Sequence, residues 1–173
     1  MELTVRKVAM AVALALASAA WAKPPSTGLP ALVGVALDSW ADECRAVNGT
    51  PHIDDAVKRA DLNGDSREDY VLFVGWLACD NAPSVFGDRE KSVMVFAGDD
   101  AGGARLAFDE QVYDARIEER GTARVLWLTT SAGECPRPPA KSFAEETFCD
   151  RAVMWNSSGR FELSPVETAR IIE

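Results

Sequence analysis

From Leu29 onward, apolar residues recur at three- and four-residue intervals, at Leu29, Leu32, Val33, Ala36, Leu37, Trp40, Cys44 and Val47. That spacing lines one face of an α-helix, and Asn48-Gly49 supplies its stop. Asp38, Asp42, Glu43 and Arg45 fall mainly on the other side, so the helix is expected to pack on a sheet. Beyond it the period changes to two. Asn48 to Asp55 reads as a loop and Ala56 to Ala60 as a short strand. In Tyr70 to Leu77, Tyr70, Leu72, Val74 and Trp76 point one way while Val71, Phe73 and Leu77 point the other. A strand apolar on both faces sits centrally, covered on both sides.

Val93 to Ala97 and Ala104 to Phe108 are further apolar strands, separated by the turn residues Gly98 to Gly103. Gln111 to Glu119 alternates as a half-exposed strand, and Ala123 to Thr130 is again apolar on both faces. Arg151 to Asn156 and Arg160 to Leu163 form a hairpin around Asn156-Ser157-Ser158-Gly159. Pro165 to Glu173 reads as a short terminal helix. The pattern predicts a mainly β (α+β) fold, an antiparallel sheet of about seven to eight strands with one N-terminal amphipathic helix packed on it.

The residues before the helix change the picture of where this fold resides. Arg6 and Lys7 precede an apolar run from Val8 to Ala20, and Ala20-Trp21-Ala22 has the small-x-small form of a cleavage site. Residues 1–22 therefore read as a signal peptide and 23–28 as a flexible, proline-rich lead-in, leaving 29–173 as a single β-rich domain. The run is shorter than the roughly 20 residues a spanning helix needs, and none follows, so no stable membrane insertion is expected. No cysteine sits at the cleavage site to carry an acyl anchor, which points to the periplasm or secretion. Loss of Glu2, Arg6 and Lys7 would make the formal net charge of −9 more negative by one. Such a surface repels phosphate backbones, which argues against nucleic acid, and attracts basic proteins and divalent cations.

Cys44, Cys79, Cys135 and Cys149 all lie in the exported part, an even number in an oxidising compartment and with no CxxC pair, so two disulfides are favoured over a metal site. Of three possible connectivities, Cys44 with Cys79 would tie the helix to a strand end, and Cys135 with Cys149 would close a proline-rich loop.

The densest chemistry is Asp61-Leu62-Asn63-Gly64-Asp65-Ser66-Arg67-Glu68-Asp69. Asp61, Asn63, Asp65 and Asp69 place oxygen donors at relative positions one, three, five and nine, as a hard cation such as calcium requires. The carboxylates repel one another at about 4 kcal/mol per close contact unless a cation intervenes. The alternative is an Asp/Asn-rich turn whose side chains bond only nearby amides. The stretch resembles the DxNGDGxxD calcium loop of FG-GAP and VCBS-type repeats. The resemblance implies Asp61, Asn63, Asp65 and Asp69 as side-chain ligands of Ca2+ and Arg67 as a backbone ligand. Ser66 stands where the family has glycine, at a position that wants a left-handed backbone. The loop is single, so no propeller is implied. With one such loop, two disulfides and a terminal WNSSGRF hairpin, the chain also resembles small periplasmic proteins, among them inhibitors of lysozyme-like hydrolases and immunity proteins. Ser131-Ala132-Gly133 is similar to the Ser-Gly loops with which certain lysozyme inhibitors plug the active cleft.

Catalytic candidates are few. His52 is the only histidine and reads as an exposed loop residue. Asp99-Asp100 and Glu145-Glu146 could supply paired carboxylates, but adjacent acidic pairs in loops are usually solvated surface. Trp40, Trp76, Trp127 and Trp155 fall at core-facing spacings, with Trp155 expected to be the most exposed. Asn48-Gly49-Thr50 and Asn156-Ser157-Ser158 are turn chemistry. The expectation is a non-enzymatic, calcium-stabilised binding protein of the bacterial cell envelope. Its surface would be the clamped loop Ser131 to Cys149, with Asp80 to Ser92, and its sharpest partner a basic periplasmic or secreted lysozyme-like hydrolase. An envelope hydrolase using paired carboxylates and a purely structural exported domain are the alternatives.

Overall fold

The computed structural model describes residues 28–136 and 142–172. The expected signal peptide, the lead-in apart from Gly28, and positions 137–141 of the clamped loop lie outside them.

The helical spacing becomes α1, Ala31–Ala46. Val33, Leu37, Trp40 and Cys44 are buried, but Leu32 and Val47 are exposed, so the helix touches its neighbour along a narrower stripe than its apolar residues cover. Its end is set by local hydrogen bonds: Asn48 N–H to Arg45 O at 3.0 Å and Gly49 N–H to Cys44 O at 2.9 Å. Asn48 takes the left-handed conformation (φ 62°) that this cap requires.

Eleven strands follow among the described residues: β1 (Thr50–His52), β2 (Val57–Ala60), β3 (Asp69–Phe73), β4 (Ala78–Asp80), β5 (Lys91–Gly98), β6 (Ala104–Val112), β7 (Asp114–Arg120), β8 (Ala123–Ser131), β9 (Phe148–Trp155), β10 (Phe161–Leu163) and β11 (Arg170–Ile171). They form three antiparallel sheets in place of the expected one: β1-β4, β2-β3-β5-β6 and β10-β9-β8-β7, with β11 alongside β9. The count exceeds seven or eight because β1, β4 and β11 are two- or three-residue strands, too short for an alternation to register in the sequence.

The β2-β3-β5-β6 sheet is the middle layer. One face buries Leu72 and Phe96 against Leu37 and Trp40 of α1. The other buries Val71, Phe73, Val93 and Val95 against Leu126, Leu128, Val153 and Phe161 of the second sheet. The central, doubly covered strand read from Tyr70 to Leu77 is thus present but shorter. After Phe73 the chain turns through a 3-10 helix, Val74–Trp76. Three residues per turn replace the two-residue alternation, so Trp76 packs with Phe73 and Leu77 joins the helix-facing cluster, opposite to the strand reading. The expected break between Phe108 and Gln111 is also displaced. β6 runs through the polar Asp109-Glu110-Gln111 as an edge strand. The chain changes sheets at Tyr113, whose N–H bonds Thr129 O at 2.8 Å.

Both favoured disulfides are present. Cys44–Cys79 joins the last turn of α1 to β4, and Cys135–Cys149 closes the loop between β8 and β9. Gly49 backs onto the first: a Cβ there would lie 2.3 Å from Cys79 Sγ, so no larger residue fits. The C-terminal segment is not the expected helix but a single 3-10 turn, Val166–Thr168, leading to β11. No helix among the described residues is long and apolar enough to cross a membrane.

Candidate functional site

The Asp61 to Asp69 loop connects β2 to β3, and its conformation is written in side-chain to backbone hydrogen bonds. Asp61 accepts the N–H groups of Gly64 (2.7 Å) and Ser66 (2.9 Å), Asn63 that of Asp65 (2.9 Å), and Asp65 that of Arg67 (2.9 Å). Asp69 is fully buried and accepts Leu62 N–H at 2.9 Å and Gly98 N–H at 3.2 Å, stitching the loop to the end of β5. Gly98 approaches so closely that a Cβ would meet Glu68 O at 2.2 Å. Ser66 has the left-handed backbone (φ 67°) that its position wants.

Arg67 offsets part of the charge in the loop. Its guanidinium lies 2.6 Å from Asp65 Oδ2 and 2.6 Å from Asp100 Oδ1, linking the loop to the β5–β6 turn. Those hydrogen bonds, to Asp65 first and Asp100 second, hold Arg67 above the ordinary arginine range. Desolvation pushes Asp65 up, but hydrogen bonds from the Arg67 side chain and amide and from Asn63 outweigh it and leave the carboxyl below its usual range. Asp69 is raised, first by burial, with its two amide donors opposing and the nearby charges of Asp65 and Asp61 adding to the rise.

Oxygen donors of these types are what a hard cation takes. The side chains are nevertheless arranged as an amide-bonded turn. No three carboxylate, histidine or cysteine groups among the described residues stand together as an ion cage. Asp65 Oδ2 accepts from Arg67 and Asn63.

The clamped loop is fixed at its base by more than the disulfide. Glu146, only 11% exposed in its side chain, accepts Ser131 Oγ–H at 2.6 Å and Tyr113 O–H at 3.3 Å, and meets Arg89 Nη2 at 3.0 Å. Arg89 is raised, chiefly by its hydrogen bond to Tyr113. Arg89 belongs to the Asp80 to Ser92 loop, so the two segments expected to form a binding surface are joined through one carboxylate. Tyr113 also packs edge-on against Phe148, ring centres 4.7 Å apart. On the β9 side, Arg151 pairs with Glu134 and donates to Ser164 O at 2.8 Å.

Beside that base runs a groove between the edge strands β6 and β10. Glu90, Glu110, Thr130, Ser131 and Glu134 line a hollow of about 130 Å³, which continues past Asp109, Arg160 and Glu162 through a second of about 290 Å³. The groove is predominantly acidic. Glu110 and Glu134, distant in sequence, had no local signal, because only the packing of the two sheets brings them to one hollow. Glu146 was legible only as half of a Glu-Glu pair, and the fold separates the two: Glu145 is exposed, Glu146 is tied down.

Other candidates resolve individually. Asp99 Oδ1 accepts Ala101 N–H (2.9 Å) and Gly103 N–H (2.8 Å), and Asp100 is on Arg67, so that pair shapes a turn. His52 lies on β1 instead of in a loop, 2.7 Å from Asp80 Oδ2, with both side chains more than half exposed. Trp40 and Trp127 are buried, whereas Trp76 and Trp155 are half-buried, so Trp155 is not singled out by exposure. Trp76 lies under Lys58 Nζ (3.9 Å) and Trp155 packs on Phe161. Asn156 Oδ1 accepts Ser158 N–H and Arg160 N–H, the turn role expected of it. No family model matches the chain, and no curated protein or solved structure matches it either.

Proposed function

We propose that this is an exported, calcium-stabilised, non-enzymatic binding protein of the bacterial cell envelope. It presents the disulfide-clamped loop and the adjoining acidic groove to a basic partner, in the sharpest form a lysozyme-like hydrolase that it inhibits. The observation that carries the reading is Glu146, which joins the clamped loop to Ser131, Tyr113 and the Arg89 loop beside a row of carboxylates. A loop held at its base before binding loses less conformational entropy on entering a cleft, and an acidic groove steers a cationic partner toward it. Arg67 and calcium compete for Asp65 in this reading. The ion's role is to hold the β2–β3 connection, while binding is performed elsewhere.

The protein is expected to capture a basic muramidase from a panel of periplasmic and secreted hydrolases at low salt and to release it as salt rises. Absence of any complex at low salt overturns the partner assignment, and release of reducing ends from peptidoglycan by the purified protein alone overturns the binding reading in favour of a hydrolase. For the ion, added calcium should raise the melting temperature and Asp65→Ala should abolish the rise. A melting curve indifferent to calcium and chelator removes calcium from the proposal.

A further inference from the structure

Every side-chain oxygen of Asp61, Asn63, Asp65 and Asp69 accepts a hydrogen bond from within the protein. All but one accept a single backbone N–H, which leaves each a lone pair to spare. The exception is Asp65 Oδ2. It accepts Asn63 Nδ2–H at 3.0 Å, Arg67 Nε–H at 3.1 Å and Arg67 Nη2–H at 2.6 Å. A carboxylate oxygen has two lone pairs, so this one is filled, and most of the filling is done by a side chain that carries a positive charge.

Arg67 holds that carboxylate from both ends, since its own amide donates to Asp65 Oδ1 at 2.9 Å. Its third arm, Nη1, donates to Asp100 Oδ1 at 2.6 Å on the turn between β5 and β6. The planar guanidinium allows this, because its donors diverge in a rigid fork that one ammonium group does not reproduce. A calcium ion in such a loop would bring positive charge among the carboxylates and cross-link side chains to one another. Arg67 supplies both from within the chain.

We propose that Arg67 is the built-in cation of this loop. Its guanidinium fills the Asp65 oxygen and fastens the β2–β3 connection to the β5–β6 turn, so the loop keeps its shape without an ion, and calcium has to displace Arg67 to bind at Asp65. An ion on Oδ1 instead would share one carboxylate with the guanidinium, and like charges that close repel. Because Nη1 is already on Asp100, the guanidinium keeps a partner when it leaves Asp65. The displacement rests on the calcium reading above, whereas the fastening does not.

The test follows amide exchange and calcium affinity in the intact protein, Arg67→Gln, Arg67→Lys and Arg59→Gln. Arg59 pairs with Glu68 of the same loop at 3.5 Å and does not touch Asp65, so Arg59→Gln removes an equal charge without the Asp65 contact. In chelator, the amides of Leu62, Ser66 and Gly98 should exchange about threefold to fivefold faster in Arg67→Gln than in the parent, the size expected of exposed ion pairs. Arg67→Lys, which keeps the charge and loses the fork, should fall between them, and Arg59→Gln should stay within about twofold of the parent. Calcium should bind Arg67→Gln at least about threefold more tightly than the parent, and Arg59→Gln like the parent. Exchange in chelator that is the same in Arg67→Gln as in the parent overturns the proposal, as does an equal rise in Arg59→Gln, which would trace the effect to net charge. Equal calcium affinity in Arg67→Gln and the parent overturns the displacement. Calcium that binds neither protein removes the calcium reading and the displacement with it, while the comparison in chelator decides the fastening by itself.

Discussion

The two ends of the β8–β9 ladder are built from the same pair of strands and carry opposite chemistry. At Ser131 and Phe148 the strands are registered and bridged by Cys135–Cys149, and Glu146 is held by three donors. At Ala123 and Trp155 they part around an apolar cleft with a cationic rim, and an indole N–H is left without an acceptor. A sheet closes fully only where both strands have their partners on both edges. Here β9 follows β10 toward β6, where Arg105 bonds Gly159 O, while β8 follows β7. Strand pairing elsewhere in the fold thus opens one end, and a covalent bond closes the other.

The largest effect should come from breaking the closed end. Cys135→Ala/Cys149→Ala opens a loop of sequence separation 14, and denaturant titration should show a loss of about 3 kcal/mol. Capture of a basic hydrolase should weaken with it. A loss below about 1 kcal/mol would mean that Glu146, not the disulfide, holds that end.

Glu146→Ala comes next. It removes the acceptor of the Ser131 and Tyr113 hydroxyls from a nearly buried position, and a destabilisation of about 2 kcal/mol is expected. Limited proteolysis should cut the clamped loop faster in this variant while leaving the Ala123 to Leu126 edge as it was. Equal acceleration at both ends would show that the ends are coupled and would dissolve the comparison.

The smallest effect is intrinsic to the parent protein. Amides of β8 on its β9-facing edge should exchange with deuterium faster over Ala123 to Leu126 than over Leu128 to Ser131, by the equivalent of about 1 kcal/mol of local opening. Uniform protection along β8 would mean that both ends are equally closed.

Much of the fold was legible because it is locally encoded. The three- and four-residue spacing of Val33, Leu37, Trp40 and Cys44, the Asn48-Gly49 stop, and the Asn156 to Gly159 turn each depend on residues a few positions apart. Two cross-links were legible from four cysteines with no CxxC pair, while their connectivity stayed one of three, and the structure has the favoured one. The failures share a cause. β1 contains Pro51 and is three residues long, so only its partner β4 makes it a strand. The Val74–Trp76 turn is as apolar as the strand before it, and composition does not distinguish two residues per repeat from three. In the candidate site, Asp61, Asn63, Asp65 and Asp69 were visible as oxygen donors at alternate positions. That Arg67 reaches from Asp65 to Asp100 was not, since the partner lies on another turn.

The sequence alone determined that this chain makes one amphipathic helix, a set of antiparallel strands, two cross-links and an oxygen-rich turn, because each follows from side chains close along the chain. Tertiary structure decided which strands share a sheet, that the chain changes sheets at Tyr113, and that β8 and β9 close at one end and part at the other. It also brought Glu110 to Glu134 and Glu146 to Arg89. Those contacts join residues far apart in sequence, and their energy comes from burial and pairing that exist only once the layers have met.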